Sequence, residues 1–298
     1  MIPDANHTGL QEQALAAIEK CAGPARQRGP GRWTACLHNG HLIQVSAACD
    51  DDWLLLAARP QGRKDGGRKD AADLTGLLAW NARLPGGGRW AVAPGERAAH
   101  LRADIRLSSA IGLAGLVRDA CDTFLAAARM AEGEDVPQEN SADGATVQGN
   151  RHVGTADFGR LCSAAGWENR ERSGGAVAVS LEAPAGFYQA IVEERSPGMV
   201  AASVAMATRE GLPVRCRQAR ALLLLQATAV VRMVRAAAEA GDGRTAERLE
   251  VAFMGIPAPA ELQDALAALS VACRLCGEEA RALEDEALAV EYLRIQGW

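Results

Sequence analysis

Two histidines, His38 and His41, flank an Asn-Gly pair within the stretch TACLHNGHLIQV. Imidazole nitrogens are common zinc ligands, so the pair could form part of a metal site. Asn-Gly between two alternating apolar runs also predicts a hairpin with a two-residue type I′ turn. That turn places His38 opposite His41 and Cys36 opposite Ile43. Because two exposed imidazoles complete at most half of a zinc shell, a solvated hairpin tip is favoured and no metal is expected.

Cys273 and Cys276 form a Cys-x-x-Cys pair, which in other settings binds zinc or carries redox chemistry. A zinc site would need a second Cys or His pair, and a redox site would need its first Cys at a helix N-terminus. Instead, the two cysteines recur at helical spacing with apolar neighbours. We interpret them as small buried side chains on one face of a helix.

Other glycine-rich or charged segments also fall short of a recognisable active site. The sequence contains no GxGxxG, GxxxxGK[ST], GxSxG or HExxH motif. GGGRWAVAPGE, from Gly86, is predicted to join a helix to a strand, whereas a phosphate loop joins a strand to a helix N-terminus. The loop GRKDGGRKD could hold an anion, but its interleaved aspartates favour a solvated loop. No cofactor and no catalytic residue is therefore predicted, although a triad dispersed in sequence would be invisible.

Composition limits the class of protein. The chain has 298 residues, a net charge of -5 and 48% hydrophobic residues, which suits about two domains with cores of their own. The acidic balance argues against a nucleic-acid-binding protein. The longest apolar stretch, Ala221 to Val234, is shorter than the roughly 20 residues of a membrane span and contains Arg232. With no apolar leader after Met1, a soluble, cytoplasmic protein is expected.

A segment rich in Glu, Asp, Asn, Gly and Ser, residues 132–154, separates two patterned halves and is predicted to be a flexible linker. In the first half, residues 1–131, the pattern predicts a helix, three strands, a helix, two strands and a helix. In the second half, residues 155–298, the same order is expected with one strand missing, because nothing matches RWAVA. There the middle helix is predicted to run from about Arg217 to Ala240.

The predicted fold class is therefore α+β, with two tandem helix–antiparallel sheet–helix units in the order α-β-β-β-α-β-β-α. This order resembles that of the bacterial type III secretion chaperone-like superfamily, which includes the class I secretion chaperones. The resemblance covers nearly the whole chain except the linker and the termini, and it rests on element order and length. Members are typically single domains near half this length that pair as homodimers. The resemblance therefore implies a pseudo-dimer within one monomeric chain.

The middle helices are the expected contact between the units, because the equivalent helix lies at the dimer interface in the secretion chaperones. The alternative is that each helix sits deep in its own domain. The candidate interface residues are Leu77, Leu78, Leu223, Leu224 and Val231.

A partner-binding face is predicted on the first hairpin. The two-residue turn would place Trp33, Leu37 and Leu42 together with polar residues on a sheet face without helices, which is typical of a contact surface. The alternative is that a helix covers this face. The leading functional hypothesis is a non-catalytic, chaperone-like module that holds a segment of a protein client, a secreted effector being one candidate. A small-molecule or nucleotide-responsive regulator is the alternative, and an enzyme with dispersed residues comes third.

Overall fold

A computed structural model describes residues 5–38, 42–60, 73–84, 86–107, 112–131, 157–184, 186–241 and 244–298. The predicted linker, the loop GRKDGGRKD and the hairpin tip at Asn39, Gly40 and His41 lie outside these ranges. The chain is mixed α+β, as predicted. None of the helices in the described ranges has the length and apolar character needed to span a bilayer.

The first unit is built around one antiparallel sheet. Its elements in chain order are α1 (Ala5–Ala22), β1 (Arg26–Gly29), β2 (Arg32–His38), β3 (Leu42–Asp50), β4 (Trp53–Pro60), α2 (Leu74–Arg83), β5 (Arg89–Val92), β6 (Ala99–Arg106) and α3 (Leu113–Ala131).

The second unit repeats this plan and adds a helix at its end. Its elements are α4 (Phe158–Ala164), β7 (Asn169–Glu171), β8 (Val177–Ala183), β9 (Gly186–Ser196), β10 (Met199–Met206), α5 (Val214–Val230), β11 (Arg235–Gly241), β12 (Arg244–Met254), α6 (Pro259–Ala282) and α7 (Glu286–Gln296).

The two sheets have the same topology. The strand order is β1-β2-β3-β4-β6-β5 in the first sheet and β7-β8-β9-β10-β12-β11 in the second. The prediction that the second copy lacks a strand is wrong, because β11 occupies the place of β5. The predicted order also omits the short edge strands β1 and β7, so each sheet has one strand more before its middle helix than expected. The segment RAAAEAG was expected to extend the middle helix, and its alanines do favour a helix locally. The helix instead ends at Val230, and the segment pairs with β12 along its whole length, since tertiary packing overrides local propensity.

Helices cover one face of each sheet. In the first unit, α1 and α3 pack on the strands, and in the second unit α6 lies across β8, β9, β10 and β12. The residues on the covered faces are small or branched and buried, as in β10, where Val200, Ala202 and Val204 alternate toward the helix. Each sheet therefore keeps a second face for other contacts.

The first hairpin has a different register from the predicted one. His38 pairs with Leu42 and Leu37 with Ile43, so three residues rather than two connect the strands. A shift of one residue moves side chains to the opposite face of a strand. In the observed register Trp33, Leu37 and Ile43 all face α1 and α3 with the other buried side chains. The free energy gained by burying these apolar side chains together outweighs the preference of Asn-Gly for a two-residue turn.

The two units contact each other through their middle helices and edge strands. Helix α2 packs on β11 and on α5, and α5 packs on β5. Helix α7 covers another side of α5, which explains why almost every residue of α5 from Ala219 to Ala229 is buried. The middle helix of each unit thus lies against the edge strand of the other unit.

Candidate protein-binding surface

A groove with a volume of about 520 Å³ lies along β9 and β10 of the second sheet, and Gly277, Ala280 and Arg281 of α6 are among its lining residues. We call it the β9 groove. Its floor includes Ile191, Ser203 and Ala205, and Phe187 stands at one end with 76% of its surface exposed. Charged side chains, among them Arg195, line the rest. The groove therefore joins an exposed aromatic ring, a floor of small side chains and a charged border.

The alternation of β9 produces this surface. In GFYQAIVEERS, Ala190 and Val192 turn toward α6 and are buried, while Phe187 and Ile191 turn toward the groove. Ile191 pairs with Ser203 of β10, whose short side chain leaves space above the sheet.

A buried carboxylate anchors one side of the groove. Glu250 lies in β12 opposite Ser203 and accepts hydrogen bonds from Arg235 Nε at 2.6 Å and from Arg248 Nε at 2.5 Å. Arg195 also contacts it. Burial alone would raise the pKa of Glu250, but the charges of Arg235 and Arg248 outweigh burial and hold that pKa below its ordinary value. The side chain therefore stays ionised and fixes the arginines at the groove border.

Arg235 also connects the groove to the interface between the units. Its guanidinium donates to the carbonyl oxygens of Leu84, at 2.7 Å, and Gly86, at 2.9 Å, just after α2 of the first unit. Carbonyls at a helix C-terminus have no partner within the helix, and a cation there is stabilised by the helix dipole. Arg235 thus caps the middle helix of the other unit.

The first unit makes the reciprocal contact. Arg89, at the start of β5, donates to the carbonyl oxygen of Thr228, at 3.1 Å, and to that of Val231, at 3.5 Å, where α5 ends. Its Nη2 lies 2.5 Å from Asp104 Oδ2, as Arg235 pairs with Glu250. The two units are therefore joined by a pair of buried arginines in equivalent positions.

The pKa of Asp104 is strongly shifted by its buried position between arginines. Burial would raise its pKa, but Arg89 and Arg102 outweigh burial and lower that pKa to about 2. The same carboxylate accepts a hydrogen bond from the backbone amide of Met233, at 3.1 Å, across the interface. Arg102 contacts the carbonyl oxygen of Ala229 as well.

The uncovered face of the first sheet is different in character. Thr34 and Cys36 are half-buried there, and Gln44 and Ser46 are exposed. The side chains are short or polar, and none of them is a large exposed hydrophobic residue like Phe187.

The predicted partner-binding residues do not form an open surface. Trp33 is 5% exposed and Leu37 is 2% exposed, both on the helix-covered face, so the prediction of an open apolar face on the first hairpin is wrong. The side chain of Leu42 lies outside the described part of the chain. The physical reason is the register: the shift by one residue turns the apolar set inward.

The candidate interface residues lie on the two helices that meet between the units. Leu77 and Leu78 of α2 are buried, as is Leu224 of α5, and Val231 is buried just after that helix. Leu223 is half-buried and packs against the core.

The cysteine pair lies where the sequence predicts it. Cys273 and Cys276 are buried in α6, and burial raises the pKa of each thiol to about 12. A thiol with such a pKa stays protonated near neutral pH and is a poor nucleophile. Among the described side chains, no three His, Cys, Asp or Glu residues come together as ligands for a metal ion.

Sequence reasoning missed the β9 groove and the buried arginines. Two signals pointed to them. The first is the alternation in FYQAIVEER, which separates an apolar set from a mixed one. The second is a repeated pattern: β5 and β11 each begin with an arginine, Arg89 or Arg235, and the next strand carries Arg-x-Asp or Arg-x-Glu, ending at Asp104 or Glu250.

Comparison with known proteins adds no relative: no family model, no curated protein and no solved structure matches this chain.

Proposed function

We propose that this chain is a non-catalytic, chaperone-like protein-binding module that holds an extended segment of a partner protein in the β9 groove. The observation that carries the proposal is the exposure of Phe187 at the end of a groove with a volume of about 520 Å³. A large exposed aromatic ring beside an open apolar floor is typical of interaction sites. The resemblance to the secretion chaperones supports a bacterial, cytoplasmic protein whose client is a secreted effector.

The chemistry of the groove favours an extended segment. Side chains of an extended chain alternate, so every second one can reach the floor at Ile191 and Ala205 while the others meet the charged border. Apolar contact at Phe187 supplies affinity, and polar contacts along the charged border fix orientation. The sheet presents side chains to the groove. Recognition of the partner segment therefore rests on side-chain contacts, and the segment does not need to pair with a free edge strand.

The assembly expected with this function is a monomer. The interface that the secretion chaperones form between two chains is formed here between two units of one chain. The reciprocal contacts of Arg89 and Arg235 support this proposal because both guanidinium groups find helix-capping carbonyl partners within the chain.

A photo-crosslinking amino acid at position 187 or 189 tests the proposal in the native cell. We expect one protein to be captured, with the crosslinked peptide mapping to a single continuous segment. The same crosslinker at Gln44, exposed on the first sheet, is the matched control and should not capture that protein.

A substitution gives the complementary result. Phe187→Asp should abolish capture from position 189 and leave the melting temperature nearly unchanged, because the ring is mostly exposed. Leu288→Asp, which changes an exposed apolar residue on α7, serves as the control and should retain capture. Undiminished capture with Phe187→Asp, or equal capture from Gln44, would reject the β9 groove as the binding site.

A further inference from the structure

A second, smaller cavity lies between the two units. It has a volume of about 130 Å³ and is separate from the β9 groove. Its apolar lining comes from both units, with Trp53, Leu116 and Ala120 on one side and Met233, Val251 and Phe253 on the other. The ends of β6 and β12 and the first turns of α3 and α6 contribute equivalent walls, so the cavity lies where the two repeats meet.

Met233 gives this cavity a strained wall. Its φ angle is +68°, a conformation that favours glycine and is strained for other residues. The amide of Met233 is held by Asp104, which also lines the cavity. In the first unit the equivalent turn, before Arg89, consists of Gly86, Gly87 and Gly88. A flexible, polarisable methionine therefore occupies a position where glycine would be free of strain.

The charges at the rim limit which molecules could enter. Asp119, Glu261 and Asp264 line the cavity, and Arg106 is the cation among its lining residues. Arg106 is already paired with Asp264 and, at 3.1 Å, with Asp52. A carboxylate or phosphate would meet this negative rim without a free cation, so anions are disfavoured.

We propose that this cavity binds an uncharged apolar molecule about the size of one aromatic ring. An apolar cavity of about this volume accommodates a single ring. The two methionines at its wall, Met233 and Met254, can adjust to rings of different shape. Since both units contribute the lining, an occupant stabilises their pairing. This inference goes beyond protein binding and does not depend on the proposed function.

Binding of 4-fluorotoluene, followed by fluorine NMR on the full chain, tests the proposal, with 4-fluorobenzoate as the anionic control. We expect saturable binding of 4-fluorotoluene and at least tenfold weaker binding of the benzoate. At ten times the dissociation constant the melting temperature should rise by about 3 °C. Non-saturable binding, or equal affinity for the anion, would overturn the proposal.

Two variants locate the site. Ala120→Leu adds three carbon atoms at a buried lining position of α3 and should weaken 4-fluorotoluene binding at least tenfold. Ala267→Leu, at an exposed position of α6, is the matched control and should leave binding unchanged. Met233→Gly removes a wall side chain and its backbone strain, so binding should weaken while the melting temperature holds or rises. If Ala120→Leu fails to fold, the Met233→Gly variant provides the test. Unchanged binding of 4-fluorotoluene in a folded variant would overturn the assignment of the site to this cavity.

Discussion

Buried arginines are the residues that organise this protein. Arg89, Arg220 and Arg235 are almost fully buried, and each donates both to a carboxylate and to backbone carbonyls. Arg220, for instance, lies 2.8 Å from Glu247 and donates to the carbonyl of Ala207 at 3.1 Å. Guanidinium has five N–H donors in a rigid fork, so one side chain can join several elements. Removing one partner of such a buried pair is strongly destabilising, because it leaves an uncompensated buried charge.

Asp104 predicts an acid-sensitive contribution to stability. Its folded pKa of about 2 lies below the ordinary value of 3.8, so the contribution is full above pH 4 and is lost as the pH falls toward 2. A difference of this size corresponds to about 2 kcal/mol of unfolding free energy. Urea unfolding at pH 5 and pH 2 should show this loss of stability in the natural chain, in addition to the loss that other carboxylates cause. Asp104→Asn should be less stable at pH 5 and should lack this part of the loss; an equal pH dependence in both proteins would contradict the assignment.

Gly277 in α6 predicts a steric effect. A Cβ at this position would collide with the hydroxyl of Tyr188 and lie 2.7 Å from its Cζ. Gly277→Ala should therefore destabilise the protein by about 1–3 kcal/mol in urea unfolding, although alanine favours a helix. In a Tyr188→Ala background the same change should be neutral or stabilising. Gly115→Ala in α3, where no atom lies within 4 Å of the added Cβ, is the control and should not destabilise.

At the scale of elements, the first hairpin shows how burial decides register. Trp33→Ala should cost about 3 kcal/mol or more, because the side chain lies under α1 and α3 in the core. Ser46→Ala, on the uncovered face of the same hairpin, should change the unfolding free energy by less than about 0.5 kcal/mol. Thermal melts measure both. A stable Trp33→Ala variant would mean that this face is open after all.

The junction between α5 and β11 shows where local patterns lose their predictive value. The alanines after Met233 favour a helix in isolation, and only pairing with β12 makes them a strand. Leu77, Leu78 and Leu224, by contrast, were predictable as buried because helical spacing alone gathers them on apolar faces. The β9 groove was not predictable from spacing, since an alternating strand does not reveal which of its faces a helix will cover.

At the scale of the whole molecule, the reciprocal arginine contacts predict that the two units stay together without a covalent link. A protease site inserted between Asn140 and Ser141 should give two fragments that coelute on size exclusion after cleavage under native conditions. The physical reason is that Arg89 and Arg235 have their helix-capping partners only in the other unit. Immediate separation of the fragments would show that the interface is weaker than these contacts suggest.

The same cleaved protein tests the arginines themselves. Arg235→Ala leaves Glu250 with one fewer cation and leaves the carbonyl oxygens of Leu84 and Gly86 without this donor. Loss of one partner of a buried pair costs about 3–5 kcal/mol, so the fragments should now separate. Arg26→Ala, at an exposed position of edge strand β1, should leave them associated.

The sequence by itself determined the α+β class, the helix–sheet–helix plan of each half and the burial of the cysteine pair, because these follow from local periodicity and composition. Tertiary structure alone decided the register of the first hairpin, the conversion of RAAAEAG into strand β11 and the position of the groove. Each of these depends on what packs against a segment from elsewhere in the chain. A strand offers two faces, and an alanine-rich segment can become helix or strand. Three tertiary contacts choose between these alternatives: burial against α1 and α3, pairing with β12 and the placement of α6.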